Sequence, residues 1–188
     1  RKELLTFKEM YRISRVLSEL GVNKVRLTGG EPFVRKDFIK FLEMLSFNDL
    51  LDEINITTNG VLITNHIKEL EVLKVKTINL SIDSLDKENF AKITRRDVFE
   101  DVFKTLEALE KSSLNLKLNC VVQSGVNTHE IFDFIELTKL KKIAVRFIEE
   151  MPFNGKGQRS MNEVWNYNKI LDNIKSNYNE IVSLKSDK

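Results

Sequence analysis

Lys24, Arg26 and Lys117 are the residues of this chain best suited to binding chemistry, because each cation alternates with apolar residues in a strand-like segment. The stretch from Asn23 to Phe33, NKVRLTGGEPF, sets Lys24, Arg26 and Thr28 against Val25 and Leu27, then breaks at Gly29-Gly30 before Glu31-Pro32. Period-two alternation reads as a short strand, and the glycine pair marks the turn that ends it. Glycine lets a ligand approach the backbone closely, and Glu31 adds an acceptor at the mouth of the turn. Further along, Asn79, Ser81 and Asp83 share one face of KTINLSID, and Lys117 and Asn119 share one face of NLKLNCVV. Thr57 and Asn59 end another strand, and Arg146 sits mid-way along the last one. Three cations meeting carboxylates and amides on one polar face suit a polyanion such as a triphosphate.

The elements that must position these residues are legible in order. Thr6 to Leu20 reads as a helix, with Thr6 and Glu9 at capping-box spacing, an apolar face of Phe7, Met10, Tyr11, Leu17 and Leu20, and Gly21 past its end. Asp37 is placed to cap a second helix carrying Phe38, Phe41, Leu42 and Leu45. Glu53 to Thr58 is a strand closing on Asn59-Gly60, and a third helix runs from about Asn65 to Leu73. The strand Lys76 to Asp83 leads to a short helical piece around Glu88 to Ile93. Asp97 is placed to cap a helix whose stripe is Val98, Val102, Leu106 and Leu109. After the strand Asn115 to Val122, Asn127 is placed to cap a helix with Ile131, Phe134 and Ile135. Ile143 to Met151 is the last strand, Pro152 to Asn162 a long loop, and Val164 to Lys175 a final amphipathic helix.

Strand–helix alternation without hairpin signals calls for parallel strands with right-handed crossovers, so the class is α/β. Fully covered parallel strands are continuous apolar runs; these carry one polar face, expected towards their C-terminal ends, as a barrel or open sheet shows where its site lies. At 188 residues the chain suits a single domain with one core. A net charge of +2 without a concentrated basic patch argues against nucleic acid, and no apolar run is long enough to span a membrane. One cysteine, Cys120, forms no internal disulfide and favours a reducing compartment, so the cytoplasm is the expected location. His66 and His129 lack partners at ligand spacing and read as surface; Trp165 and Tyr167 read as packing.

Taken together, KVRLTGGEPFVRKDF, ITTNG, INLSIDSLD, ITRRDVF, LKLNCVV and RFIEEM, in this order and spacing, resemble the radical S-adenosylmethionine enzyme family. More narrowly they are similar to its GTP 3′,8-cyclase branch, from about Leu4 to about Gly157. The resemblance implies a partial (βα) barrel of the TIM type, S-adenosylmethionine and two 4Fe-4S clusters as cofactors, and GTP as substrate. The implied reaction converts GTP to (8S)-3′,8-cyclo-7,8-dihydroguanosine 5′-triphosphate, towards molybdopterin. It implies that Gly29, Gly30 and Glu31 hold the amino group of S-adenosylmethionine, with Ser81, Asn119 and Met151 also contacting that cofactor. Lys24, Arg26, Thr57 and Lys117 match positions facing GTP, the cations meeting its phosphates. A homodimer is possible in the parent enzyme.

The family's CxxxCxxC segment and its C-terminal cysteine triplet are not in this sequence, and Cys120 lies inside a strand, where it reads as a small buried hydrophobe. The chain is therefore expected to be an interior piece of the core domain, inactive alone, with no metal ligand of its own. The rival readings are another radical enzyme of the same family, such as a peptide-modifying maturase, and a non-catalytic nucleotide-binding module.

Overall fold

The computed structural model describes residues 4–151, 164–178 and 180–184. Its five strands are β1 (Lys24–Leu27), β2 (Glu53–Thr58), β3 (Val75–Ser81), β4 (Asn115–Val122) and β5 (Ile143–Glu149). They form one sheet in the order β1-β2-β3-β4-β5, every neighbouring pair parallel. Parallel neighbours need a crossover, and the helices supply it. Following α1 (Phe7–Glu19) they are α2 (Phe38–Ser46), α3 (Ile67–Val72), α4 (Lys87–Thr94), α5 (Phe99–Glu110) and α6 (Ile131–Leu140), with α7 (Tyr167–Asn177) after β5.

The alternation in the strands divides the sheet into two faces. Ile54, Ile56, Ile78, Leu80, Leu116 and Leu118 point to the helices and pack against Leu42, Leu45, Leu70, Leu106, Leu109 and Phe134 in one core. The opposite face holds Asn55, Thr77 and Asn79, which are 5%, 6% and 1% exposed with no helix over them among the described residues. Polar residues this buried on an uncovered face require the sheet to curve around them. The structure is an open arc of a βα barrel, and the polar side is its concave side. A smaller cluster of Val122, Ile131 and Ile170, with Trp165 packed against it, attaches α7 to the end of β4.

The capping box of α1 forms as the spacing predicts, with Thr6 and Glu9 satisfying each other's backbone N–H groups. Its apolar face forms in part, with Phe7, Met10 and Tyr11 packed against the core. Leu17 and Leu20 are exposed, whereas Ser14 and Ser18 are buried, because Ser18 Oγ accepts from Asn48 Nδ2 at 3.0 Å on the inward side. Three caps also differ. Asp37 stands at the N-cap of α2 in the left-handed region, φ 63°, and its carboxylate pairs with Lys40 instead of capping. Val98, not Asp97, occupies the N-cap of α5. Asn127 precedes a 3-10 turn without capping it; its Nδ2 donates to the carbonyls of Asp83 and Val121 at 2.7 and 2.8 Å, tying the ends of β3 and β4 together. The final helix begins at Tyr167 with Asn166 as its cap, and the loop assigned to Pro152 to Asn162 lies outside the described residues.

Candidate functional site

The pairing register determines which polar side chains share a layer of the concave face. Arg26 lies beside Asn55, Asn55 beside Thr77, and Thr77 beside Asn115. The next layer is Thr57, Asn79, Lys117 and Ala144, and the layer above it is Ser81, Asn119 and Arg146. Each residue thus faces the cavity because of its parity in the strand, and its height follows from the register.

The predicted site residues separate by height into two groups. Lys24 and Arg26 lie below the layer of Thr57, Asn79 and Lys117, which itself lies below Ser81 and Asn119, so the cations stand beneath the C-terminal rim of the arc. An open cavity of about 590 Å³ lies there, lined by Glu53, Thr77, Asn115, Lys117, Lys142 and Ala144. Glu53, which the sequence reading passed over, is the register partner of Lys24, and the two form an ion pair of 2.7 Å. The hydrogen bond from Lys24 holds the Glu53 carboxyl below the usual carboxylate range against the opposing effect of burial, with Asn55 and the charge of Lys117 adding to it. Lys117 stands two strands away on β4 and lines the same cavity as Glu53.

Arg146 is a second addition. Its Nη1 donates to Asn79 Oδ1 at 3.1 Å, and Asn79 Nδ2 donates to the Ile56 carbonyl at 3.3 Å. These two bonds fix both side chains on the concave face. The alternation of Arg146 within β5 was visible in the sequence, but its level beside Asn119 comes from the register.

The upper group lies at the C-terminal ends. Gly29 and Gly30 follow β1, and a Cβ built on either meets no atom within 4 Å. Neither glycine has a positive φ among the described residues, so the turn does not demand them; what they provide is open backbone. Glu31 is held by Thr58 and by the Asn59 N–H at 2.7 Å. Ser81 ends β3, exposed, beside a cleft of about 310 Å³ lined by Asn59, Asp83, Phe90 and Arg96. Asn119, its register partner, has a buried Oδ1 with no hydrogen-bond partner among the described residues. Met151 stands just past β5 and is 68% exposed.

The orphaned Asn119 oxygen, the Ser81 hydroxyl and the open Gly29-Gly30 backbone fit a ligand with both donors and acceptors, as S-adenosylmethionine is. An iron–sulfur cluster does not fit. Cys120 is the chain's one cysteine and is 2% exposed; burial, with the Asp83 and Glu130 carboxylates adding, pushes its thiol far above the ordinary range. A four-iron cluster needs several converging thiolates, and among the described residues no His, Cys, Asp or Glu group could hold a metal ion.

The family model described as the radical SAM superfamily matches residues 1–138. Molybdenum cofactor biosynthesis protein moc-5 of Caenorhabditis elegans is 40% identical over 185 residues, 98% of this chain and 31% of that protein. GTP 3′,8-cyclase of Desulforamulus reducens is 42% identical over 151 residues, 80% of this chain and 46% of that protein. The chain therefore spans less than half the length of either relative. The crystal structure of Streptococcus suis SuiB bound to S-adenosylmethionine superimposes with a TM-score of 0.67 at 18% identity, over 92% of this chain and 40% of that one, a likeness of fold alone. The family match runs from the segment before α1 through the Gly-Gly turn and into α6, taking in four of the five strands, and the chain belongs to the radical SAM superfamily.

Proposed function

We propose that this chain is the nucleotide- and cofactor-binding core domain of a GTP 3′,8-cyclase acting in molybdenum cofactor biosynthesis. The observation that carries the reading is the placement of Lys24, Arg26 and Lys117 on one concave face below the layer of Ser81 and Asn119, with Arg146 in that upper layer. Several cations on one concave face suit a polyanion such as a triphosphate better than a single anion. The names of the relatives supply the nucleotide's identity, which the cations do not.

Superfamily chemistry rests on S-adenosylmethionine and iron–sulfur clusters, two of the latter in this branch. When bound, S-adenosylmethionine would supply, after accepting one electron from an iron–sulfur cluster whose cysteine ligands this sequence does not contain, the radical for hydrogen abstraction from the ribose of GTP. This chain's residues act by placement. Gly29 and Gly30 offer backbone groups at the upper end, Ser81 and Asn119 offer polar side-chain groups, and Met151 lies near enough in sequence to β5 to border the adenine. Arg26 and Lys117 draw the triphosphate to the lower end, and Thr57, between them, offers a hydroxyl. The ribose then falls between the two ends. A cytoplasmic setting agrees with the single unpaired cysteine, and no helix among the described residues is long and apolar enough to cross a membrane.

Calorimetric titration of the chain with GTP and ATP tests the reading. GTP binds more tightly than ATP, and Arg26→Ala or Lys117→Ala each weakens GTP about tenfold, the loss of one charged hydrogen bond. Equal affinity for both nucleotides, or variants that bind like the parent chain, would overturn it. The chain supplied with iron and sulfide should not cleave S-adenosylmethionine reductively.

A further inference from the structure

Glu53 puts a negative charge into a face that otherwise gathers cations. It is the first residue of β2, it opposes Lys24 in the β1–β2 register, and its Oε2 lies 2.7 Å from Lys24 Nζ. It also lines the 590 Å³ cavity together with Lys117. Its side chain is 26% exposed and that of Lys24 58%, so the pair lies at the foot of the concave face, open to an arriving ligand.

We infer that Glu53 is a resident competing anion: it occupies Lys24 in the free protein and yields it when a polyphosphate binds. This rests on the reading of the lower face as a phosphate site. A carboxylate and a phosphate oxygen make the same charge-assisted bond to an ammonium, so they exclude one another at Lys24. Glu53 is tethered on the neighbouring strand directly opposite Lys24, and tethering gives it a high effective concentration that a free anion must exceed. A polyphosphate already held by Arg26 and Lys117 brings its own tethered oxygens to Lys24 and meets that threshold. The hydrogen bond and charge that hold the Glu53 carboxyl ionised keep the competitor in force near neutral pH. A different role is available to the same geometry, that of a carboxylate which merely positions Lys24 for the phosphate, and the two roles predict opposite signs.

The test is calorimetric titration of the 188-residue chain with GTP, with ATP and with inorganic tripolyphosphate. The proteins are the parent chain, Glu53→Gln, Glu53→Ala, Lys24→Ala and the double variant Lys24→Ala with Glu53→Gln, each checked by circular dichroism for its fold. Removing the competitor tightens tripolyphosphate and GTP about fivefold, the upper end of what an exposed ion pair contributes. The gain shrinks to near zero when Lys24 is absent, because the competition runs through that ammonium. Unchanged or weaker binding in both Glu53 variants overturns the inference and makes Glu53 a positioning residue. A full gain that persists without Lys24 also overturns it, as general repulsion. Should tripolyphosphate tighten as expected while GTP shows no advantage over ATP, the competing anion stands and the guanine-nucleotide reading falls. If no anion binds any of the proteins, both fall.

Discussion

Thr58 Oγ1 donates to the Glu31 carboxylate, 2.9 and 3.0 Å from its two oxygens, and so fastens the Gly-Gly turn after β1 to the end of β2. The Asn59 N–H donates to the same carboxylate at 2.7 Å and the Phe33 N–H at 3.2 Å. Three donors on a group with about four acceptor sites leave one acceptor site open, so Glu31 builds the turn without being saturated. Thr58 is 2% exposed.

Glu31→Ala therefore removes the acceptor for a buried hydroxyl and a buried-side N–H together. The loss in unfolding free energy is about 2–3 kcal/mol, measured by urea denaturation. Unchanged stability accompanied by lost S-adenosylmethionine binding would mean that the carboxylate serves the ligand alone.

The glycines of the two turns should respond in opposite ways. Gly60 has φ +84°, and a Cβ on it would sit 2.6 Å from Leu80 Cδ1. Gly60→Ala combines left-handed strain with overpacking and costs about 2–4 kcal/mol in thermal or urea unfolding. Gly30→Ala meets open space and leaves stability within about 0.5 kcal/mol. On the proposed reading its effect appears in S-adenosylmethionine affinity, read by equilibrium dialysis; unchanged affinity would remove Gly30 from the proposed site.

The fold was readable because β2 and β4 announce their parity residue by residue, and Glu53 to Thr58 and Asn115 to Val122 are the observed bounds. Caps were less readable, since an Asp or Asn at cap spacing can spend its side chain elsewhere. Asp37 does so on Lys40, and Asn127 on the carbonyls of Asp83 and Val121, the first of them 44 residues away in sequence. The buried seam of α1 was misjudged for a similar reason: Ser18 is wanted by Asn48, a partner that local periodicity does not reveal. In the site, the alternation identified Lys24, Arg26, Lys117 and Asn119 but not their heights. Glu53 and Arg146 acquire their roles through the pairings Lys24 with Glu53 and Asn119 with Arg146, which are matters of register.

Glu130 offers a third test. It is 3% exposed and accepts from Ser84 Oγ at 2.8 Å, the Leu85 N–H at 2.6 Å and Asn89 Nδ2 at 2.6 Å, which pins the loop between β3 and α4 beside the cleft at Ser81. Glu130→Ala strands these donors and lowers stability by about 3 kcal/mol. Hydrogen exchange at the Leu85 amide accelerates beyond the change in global unfolding, because the loop loses its own anchor. An exchange rate that merely tracks global stability would show that the loop holds without it.

Cys120 gives a pH dependence with a definite sign. Burial, with Asp83 and Glu130 adding, raises the thiol's folded-state pKa well above its ordinary value of 9.0. A group whose folded pKa is raised contributes stability that is complete below its unfolded pKa and declines as pH climbs towards the folded one. Above about pH 9 the unfolded chain releases this proton and the folded chain keeps it, so unfolding gains up to about 1.4 kcal/mol per pH unit from this group. Lysines and tyrosines titrate in the same range, and comparison with Cys120→Ala isolates the thiol. Urea midpoints measured from pH 8 to 10.5 should fall more steeply for the parent chain than for Cys120→Ala, the two curves converging with rising pH. Below pH 9 the parent is the more stable by the packing of one sulfur. Parallel curves would mean that the thiol ionises as freely in the fold as outside it, and with that the buried, inert reading of Cys120 would fail.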